Sequence, residues 1–197
     1  YPHLPSKECQ DSRPDPTMSL TYREEPEPSD LDWVRKIVES TDFFTREERD
    51  IALELVEERL TKGEKSGYLF LFAEGKEGVV GYSCFGPIMG TIASYDLYWL
   101  AVHDRCRGLG IGKILLGLSE KAIALRGGKR IYADTASRDQ YAPTRAFYLA
   151  CGYREEARLI DFYSPGDGKV IYVKELEIPE NPEVSSQNEK DTRPGFS

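Results

Sequence analysis

The chain has 197 residues, 40% hydrophobic and 11% aromatic, which suits one globular domain with a core of its own. A net charge of −8 speaks against nucleic acid as a partner and favours a cationic one. The apolar runs are too short to cross a bilayer, no charged-then-apolar signal opens the chain, and two His with four scattered Cys offer no metal-ligand spacing.

Residues 1–18 are polar and rich in proline, and are expected to be a flexible extension, with Met18 the true start or the chain a fragment. "LTYREE" reads as a first strand. Ser29 and Asp30 offer N-caps for a helix "DLDWVRKIVES", with Leu31, Val34, Ile37 and Val38 on one face. Thr45 and Glu48 make a capping box for "TREERDIALELVEERLTKG". Its expected buried stripe is Ile51, Ala52, Leu55, Val56 and Leu60, and Gly63 ends it. "GYLFLFAE" and "GVVGYSCFG" form a hairpin, and "SYDLYWLAV" is a third, central strand. Next comes the helix "IGKILLGLSEKAIALRG", with Ile111, Ile114, Leu115, Leu118, Ala122 and Leu125 spaced for one face. "KRIYADTA" is a strand, "PTRAFYLACG" a short helix opened by Pro143, and "YREEARLIDFY" with "GKVIYVKEL" a closing hairpin. Residues 178–197 are expected to be a disordered tail. The order β-α-α-β-β-β-α-β-α-β-β describes an α/β or α+β domain with a mixed sheet. Cys9, Cys84, Cys106 and Cys151 read as free thiols of a reducing cytoplasm, Cys84 and Cys151 as small buried hydrophobes.

The stretch "DRCRGLGIGKILLG" places Gly108, Gly110 and Gly112 just where a helix starts. It is not a P-loop, because Gly112-Lys113 is followed by Ile114 and the upstream glycine is replaced by Arg107. Nor is it a dinucleotide fingerprint, because Lys113 or Leu115 stands where the third glycine belongs. What remains is Arg107-x-x-Gly110-x-Gly112 between a strand and a helix N-terminus. Bare N–H groups and the helix dipole bind anions there, and glycines let oxygens approach. Arg107 and Lys113 add charge, so a pyrophosphate is the natural guest. The plainer alternative is a tight turn with no ligand.

"RGLGIG" matches the R/Q-x-x-G-x-G/A motif of the GNAT superfamily of acetyl-CoA-dependent N-acyltransferases, and "LYWLAV" resembles that family's fourth strand. "AFYLACGY" is similar to its later helix, through Tyr148, Gly152 and Tyr153, and the resemblance runs from about Leu20 to Leu176. It implies a mostly antiparallel sheet of about seven strands with flanking helices over 19–177. It also implies acetyl-CoA as acyl donor. Main-chain groups of Leu100 and Val102 would hold the pantetheine arm. Arg107, Gly108, Leu109, Gly110, Ile111, Gly112 and Lys113 would take the phosphates.

Asp96 is a carboxylate in an otherwise apolar strand, expensive unless paired or used. The resemblance makes it a candidate base or amine ligand, six residues before Val102; a core hydrogen-bond network is the alternative. Tyr148 is implied as the general acid that protonates the leaving thiolate. Where the family often carries Asn for the pantetheine, this chain has Tyr141. Phe43 or Phe44 would wall the amine site, and Asp161 and Tyr163 of the last hairpin would border it, unless they form only a staple and a solvated turn. The expectation is a cytoplasmic enzyme without metal, transferring acetyl directly to the primary amine of a small molecule or amino acid in a ternary complex. A non-catalytic acyl-CoA sensor and an enzyme acting on protein amines are the alternatives, and a homodimer is left open.

Overall fold

A computed structural model describes residues 19–177. The expected N-terminal extension, the C-terminal tail and Cys9 lie outside the described residues. The elements follow the expected order: β1 (Thr21–Arg23), α1 (Asp30–Ser40), α2 (Arg46–Lys62), β2 (Leu69–Gly75), β3 (Gly78–Pro87), β4 (Ser94–Val102), α3 (Ile111–Leu125), β5 (Arg130–Ala136), α4 (Ala142–Ala150), β6 (Arg154–Ser164) and β7 (Asp167–Glu175). The strands form one seven-stranded sheet, β1-β2-β3-β4-β5-β7-β6. Every pairing is antiparallel except β4 with β5. None of the described helices is long and apolar enough to cross a membrane.

Period-two alternation sends the side chains of each strand to two faces, and each face has its own core. Phe70, Phe72, Tyr82 and Cys84 meet Val34, Ile37, Val38 and Val56 of α1 and α2. Leu71, Phe85, Tyr95 and Leu97 meet Leu115, Leu116 and Ile123 of α3, with Tyr148 of α4. The capping box at Thr45 and Glu48 is present, and Gly63 closes α2 with φ 61°.

Three local expectations need correction. Ser29 caps nothing, because its own backbone is helical. The buried Asp30 carboxylate holds that end of α1 instead, accepting from the Glu27 N–H at 2.7 Å and from Arg23 Nη1 at 2.8 Å. On α2, Ile51 is 47% exposed, while Arg59 turns inward and reaches Glu25 at 3.0 Å. On α3, Ile114 and Leu125 are exposed, and Leu116, Ser119 and Ile123 are buried. A hydrogen bond of 2.8 Å between the Ser119 and Ser83 hydroxyls draws that face toward the sheet, which an apolar count places outside. Cys84, Cys106 and Cys151 are free thiols; Cys84 and Cys106 are buried and Cys151 only half-buried.

Replacing Asp30 leaves the Arg23 guanidinium and an N–H without their shared acceptor. Asp30→Ala is expected to lower unfolding stability by about 3 kcal/mol, and Ser29→Ala by less than about 0.5 kcal/mol, both read by urea denaturation.

Candidate functional site

Strands β4 and β5 pair only from Ser94 opposite Arg130 to Leu97 opposite Ala133. Both then run on, to Val102 and Ala136, without further pairing to each other. At the fork β4 carries a bulge: Cys84 opposes Trp99 and Phe85 opposes Leu97, so Tyr98 has no partner on β3. An extra residue kinks the strand and switches the facing of everything beyond it. The His103 N–H donates to the Val80 carbonyl at 2.8 Å, toward β3. Successive N–H groups of a strand alternate in direction, so those of Val102 and Leu100 face the opposite way, into the fork. A cleft of about 940 Å³ opens there, with Leu100, Val102 and Tyr148 on its wall.

At the far end of the fork the chain turns into α3. A second hollow of about 430 Å³, lined also by Gly110, Ile111 and Lys113, shares Val102, Arg107, Gly108, Gly112 and Phe147 with the first. A 3-10 turn at Asp104–Cys106 leads into it, and His103 Nδ1 caps that turn by accepting from the Arg105 N–H at 3.3 Å. Burial, with the nearby Arg105 cation, holds the imidazole below its usual range and favours the neutral acceptor. The Ser40 hydroxyl of α1 accepts the Asp104 N–H at 3.0 Å and ties the turn to the other layer. Among the described residues, no backbone acceptor meets the N–H groups of Gly108, Leu109, Gly110, Ile111, Gly112 or Lys113. Six consecutive bare amides at a helix start are an anion receptor by construction. The Leu109 side chain lies outside both hollows.

The glycines here serve two purposes. Gly108 and Gly110 both have φ 78° with open space around them, so the backbone conformation requires them. Gly112 has ordinary helical geometry, and an added Cβ would lie 3.8 Å from Val102 and 3.9 Å from Phe147, a normal contact. Nothing in the protein demands glycine at 112. A small residue there leaves the bare amides open to a ligand, whereas a larger side chain tilts toward the helix N-terminus and stands over them. The site therefore fits a diphosphate seated close against the main chain.

Tyr148 is buried between Tyr153 and Tyr172, with ring centroids 5.4 and 5.7 Å away. Burial raises its pKa, and the charges of Asp134 and Cys151 push the same way, so the phenol keeps its proton. Asp96 is half-buried but is not on the cleft wall. Asp134 is. It is the first residue of β5 beyond the fork, and it escaped the sequence reading although it too is a carboxylate in an apolar strand. Its carboxylate is ion-paired with Lys169 of β7. Burial raises the Asp96 pKa, the Asp134 charge adds to this, and Lys169 opposes it. The two carboxylates and the ammonium thus form one cluster on the α1–α2 side of the sheet.

The same side of the cleft is aromatic. Phe43 packs on Tyr141 at 4.5 Å and Phe44 on Trp99 at 5.0 Å, and all four line it. Tyr163 joins them from β6, carried by a stretch where the β6–β7 register breaks between Leu159 and Ser164. Asp161 stays out of the cleft. With φ 52° at its backbone, it uses its carboxylate to accept the Gly166 N–H at 2.7 Å and holds the hairpin turn. Two charged residues complete the wall, Arg138, which the sequence reading passed over, and Asp167 of the last hairpin's turn, paired at 2.8 Å. Asp167 sits in what reads as a polar turn, "SPGDGK", and only the strand pairing buries it.

The acetyltransferase (GNAT) family model matches residues 30–153. An uncharacterised N-acetyltransferase of Methanocaldococcus jannaschii is 32% identical over 107 residues, 53% of this chain; the match spans 65% of that relative, just under two thirds of its length. A solved protein of Desulfovibrio desulfuricans assigned to the GNAT family superposes with a TM-score of 0.79 at 43% identity, over 81% of this chain and 100% of the other. An aminoglycoside 6'-N-acetyltransferase complexed with coenzyme A shares the fold at TM-score 0.64 and 20% identity, over 81% of this chain and 98% of its own.

The two kinds of glycine separate by experiment. Gly110→Ala is expected to cost about 1 kcal/mol of stability through its left-handed backbone. Gly112→Glu is expected to fold like the parent protein, because an added Cβ meets only ordinary contacts, yet to bind coenzyme A at least several-fold more weakly in calorimetry through its like charge. Unchanged affinity in the second variant would refute a diphosphate at the α3 amides.

Proposed function

The chain belongs to the acetyltransferase (GNAT) family, and within that class of acetyl-CoA-dependent acyltransferases we propose that it moves the acetyl group directly onto the primary amine of a small molecule. The reading is carried above all by the forked sheet, whose free N–H groups at Leu100 and Val102 lead to six bare amides at the start of α3. An extended arm with a diphosphate at one end fits that track. Bound acetyl-CoA supplies an acyl thioester, and the chain supplies the rest.

The main chain of β4 orders the arm, and a Leu100 N–H directed into the fork suits a carbonyl oxygen that gains negative charge. An amine arrives protonated and must lose a proton before it attacks. Asp134 on the cleft wall, with Asp96 behind it on the same face, is the carboxylate pair placed to receive that proton. As the new N–C bond forms and the C–S bond breaks, the Tyr148 hydroxyl gives its proton to the departing sulfur. The buried phenol holds its proton at neutral pH, so the donor form is the one present. The aromatic wall from Phe43 to Tyr163 excludes water and stacks on alkyl or ring portions of the amine. The cleft of about 940 Å³ holds the arm as well as the amine, and the room left beside the arm suits a small acceptor.

Thiol release from acetyl-CoA in the presence of an amine panel tests the reading. Coenzyme binding without turnover of any amine would favour a sensor instead. Tyr148→Phe is expected to lower kcat by about a hundredfold with the affinity for coenzyme unchanged. The pH profile gives a further test. A carboxylate must be ionised to accept a proton, so activity falls as pH drops through the raised Asp96 value. Asp96→Asn is expected to shift or flatten that acid limb toward lower pH. Lys169→Met removes the cation that favours ionisation and is expected to move the limb upward.

A further inference from the structure

The Arg138–Asp167 pair is not needed by the proposed transfer chemistry, yet it lines the cleft. Asp167 opens β7 with only 5% of its surface exposed. Its Oδ2 meets Arg138 Nε at 2.8 Å, while its Oδ1 is buried without a hydrogen-bond partner. Arg138 is held from two sides, by that carboxylate and by the Tyr141 ring, whose centroid lies 5.5 Å from the guanidinium carbon. Its side chain remains 48% exposed on the cleft wall. A guanidinium fixed by a buried counter-ion and half-exposed in a cleft matches the planar fork of a carboxylate. The idle Asp167 oxygen beside it calls for a donor, which an ammonium supplies.

The pair also lies at a defined distance from the fork. Asp134 opposes Ile171 and Ala136 opposes Lys169, and the Ser137 N–H donates to the Gly168 carbonyl at 2.7 Å. Asp167 therefore lies level with Arg138, four residues beyond Asp134 and on the same face. Along an extended strand this is roughly 13 Å. A fully extended lysine spans roughly 7 Å from carboxylate carbon to terminal nitrogen, and a hydrogen bond at each end adds about 3 Å.

We propose that Arg138 and Asp167 anchor the amine substrate by an α-amino-carboxylate head, carboxylate on Arg138 and ammonium on Asp167, so that the acceptor is a diamino acid of lysine or ornithine type acetylated on its distal nitrogen. The inference rests on the transferase reading above. It explains why a guanidinium stands on the amine side of the cleft, where a plain polyamine would meet only repulsion from it. It also explains why the anchoring charges are set apart from the Asp134 end, where the reacting nitrogen loses its proton.

Thiol release with L-lysine, with ornithine and with 1,5-diaminopentane, which lacks only the carboxylate of lysine, reads this out. The kcat/KM for lysine or ornithine is expected to exceed that for the diamine at least tenfold, with fragmentation mass spectrometry placing the acetyl group on the distal nitrogen. Arg138→Gln is expected to collapse that preference toward unity while the calorimetric affinity for acetyl-CoA holds. A diamine used as well as lysine, acetylation at the α-nitrogen, no turnover of either diamino acid, or an Arg138→Gln variant that slows all three amines by the same factor would each overturn the anchor. In those outcomes intact acetyl-CoA binding and turnover of some other amine leave the transferase reading standing. Failure to bind acetyl-CoA at all overturns both.

Discussion

Everything in the site depends on two parallel strands that stop pairing. β4 and β5 share four residue pairs and then separate, which leaves strand edges in the middle of a sheet where a protein normally satisfies them. Unpaired backbone groups inside a fold are costly unless something else takes them up. The Tyr98 bulge turns β4 out of register at the point of separation, and α4 closes over one side with Tyr148. A gap of this kind binds an extended ligand through main-chain geometry, as a missing strand would. The glycine loop at its far end extends the same logic from a strand edge to a helix end.

The two faces of the sheet divide the chemistry. On the α3–α4 face lie the loop amides and the buried phenol, nearly all backbone and aromatic groups. On the α1–α2 face lie the ionisable groups, arranged as two ion pairs in line along β5 and β7: Asp134 with Lys169, then Asp167 with Arg138. Burial works against the charge on Lys169, but its contact with Asp134 more than offsets this and raises its pKa. Asp134, Asp167 and Arg138 of these pairs line the amine side of the cleft.

What the sequence disclosed follows from the range of the physics involved. The capping box at Thr45, the stop at Gly63, the glycine loop and the Pro143 helix start are local signals, written within a few residues, and the element order followed from them. Helix rotations were less legible. α3 turns its Ser119 inward because of Ser83, a partner 36 positions earlier that no periodicity count contains. Ser29 looked like a cap, but the acceptor that holds α1 is decided by Arg23 on another element. The amine side of the cleft was least legible. Asp134, Arg138 and Asp167 are ordinary polar residues in sequence, and only the β5–β7 register places them in line beside the fork. Asp161, the more conspicuous carboxylate of that hairpin, is occupied in holding its turn.

A receptor assembled from peptide nitrogens has no side chains for a point mutation to delete. The amides of Gly108 to Lys113 survive almost any substitution that keeps the turn, so the donor end can persist while much of the surrounding chain drifts. The opposite wall consists of replaceable side chains on two loops and a hairpin, and a few exchanges there would redirect the protein to a new amine. One half of the cleft is thus buffered against change and the other half is free to diversify, which is the division of labour a fold needs if many specificities are to descend from a single donor.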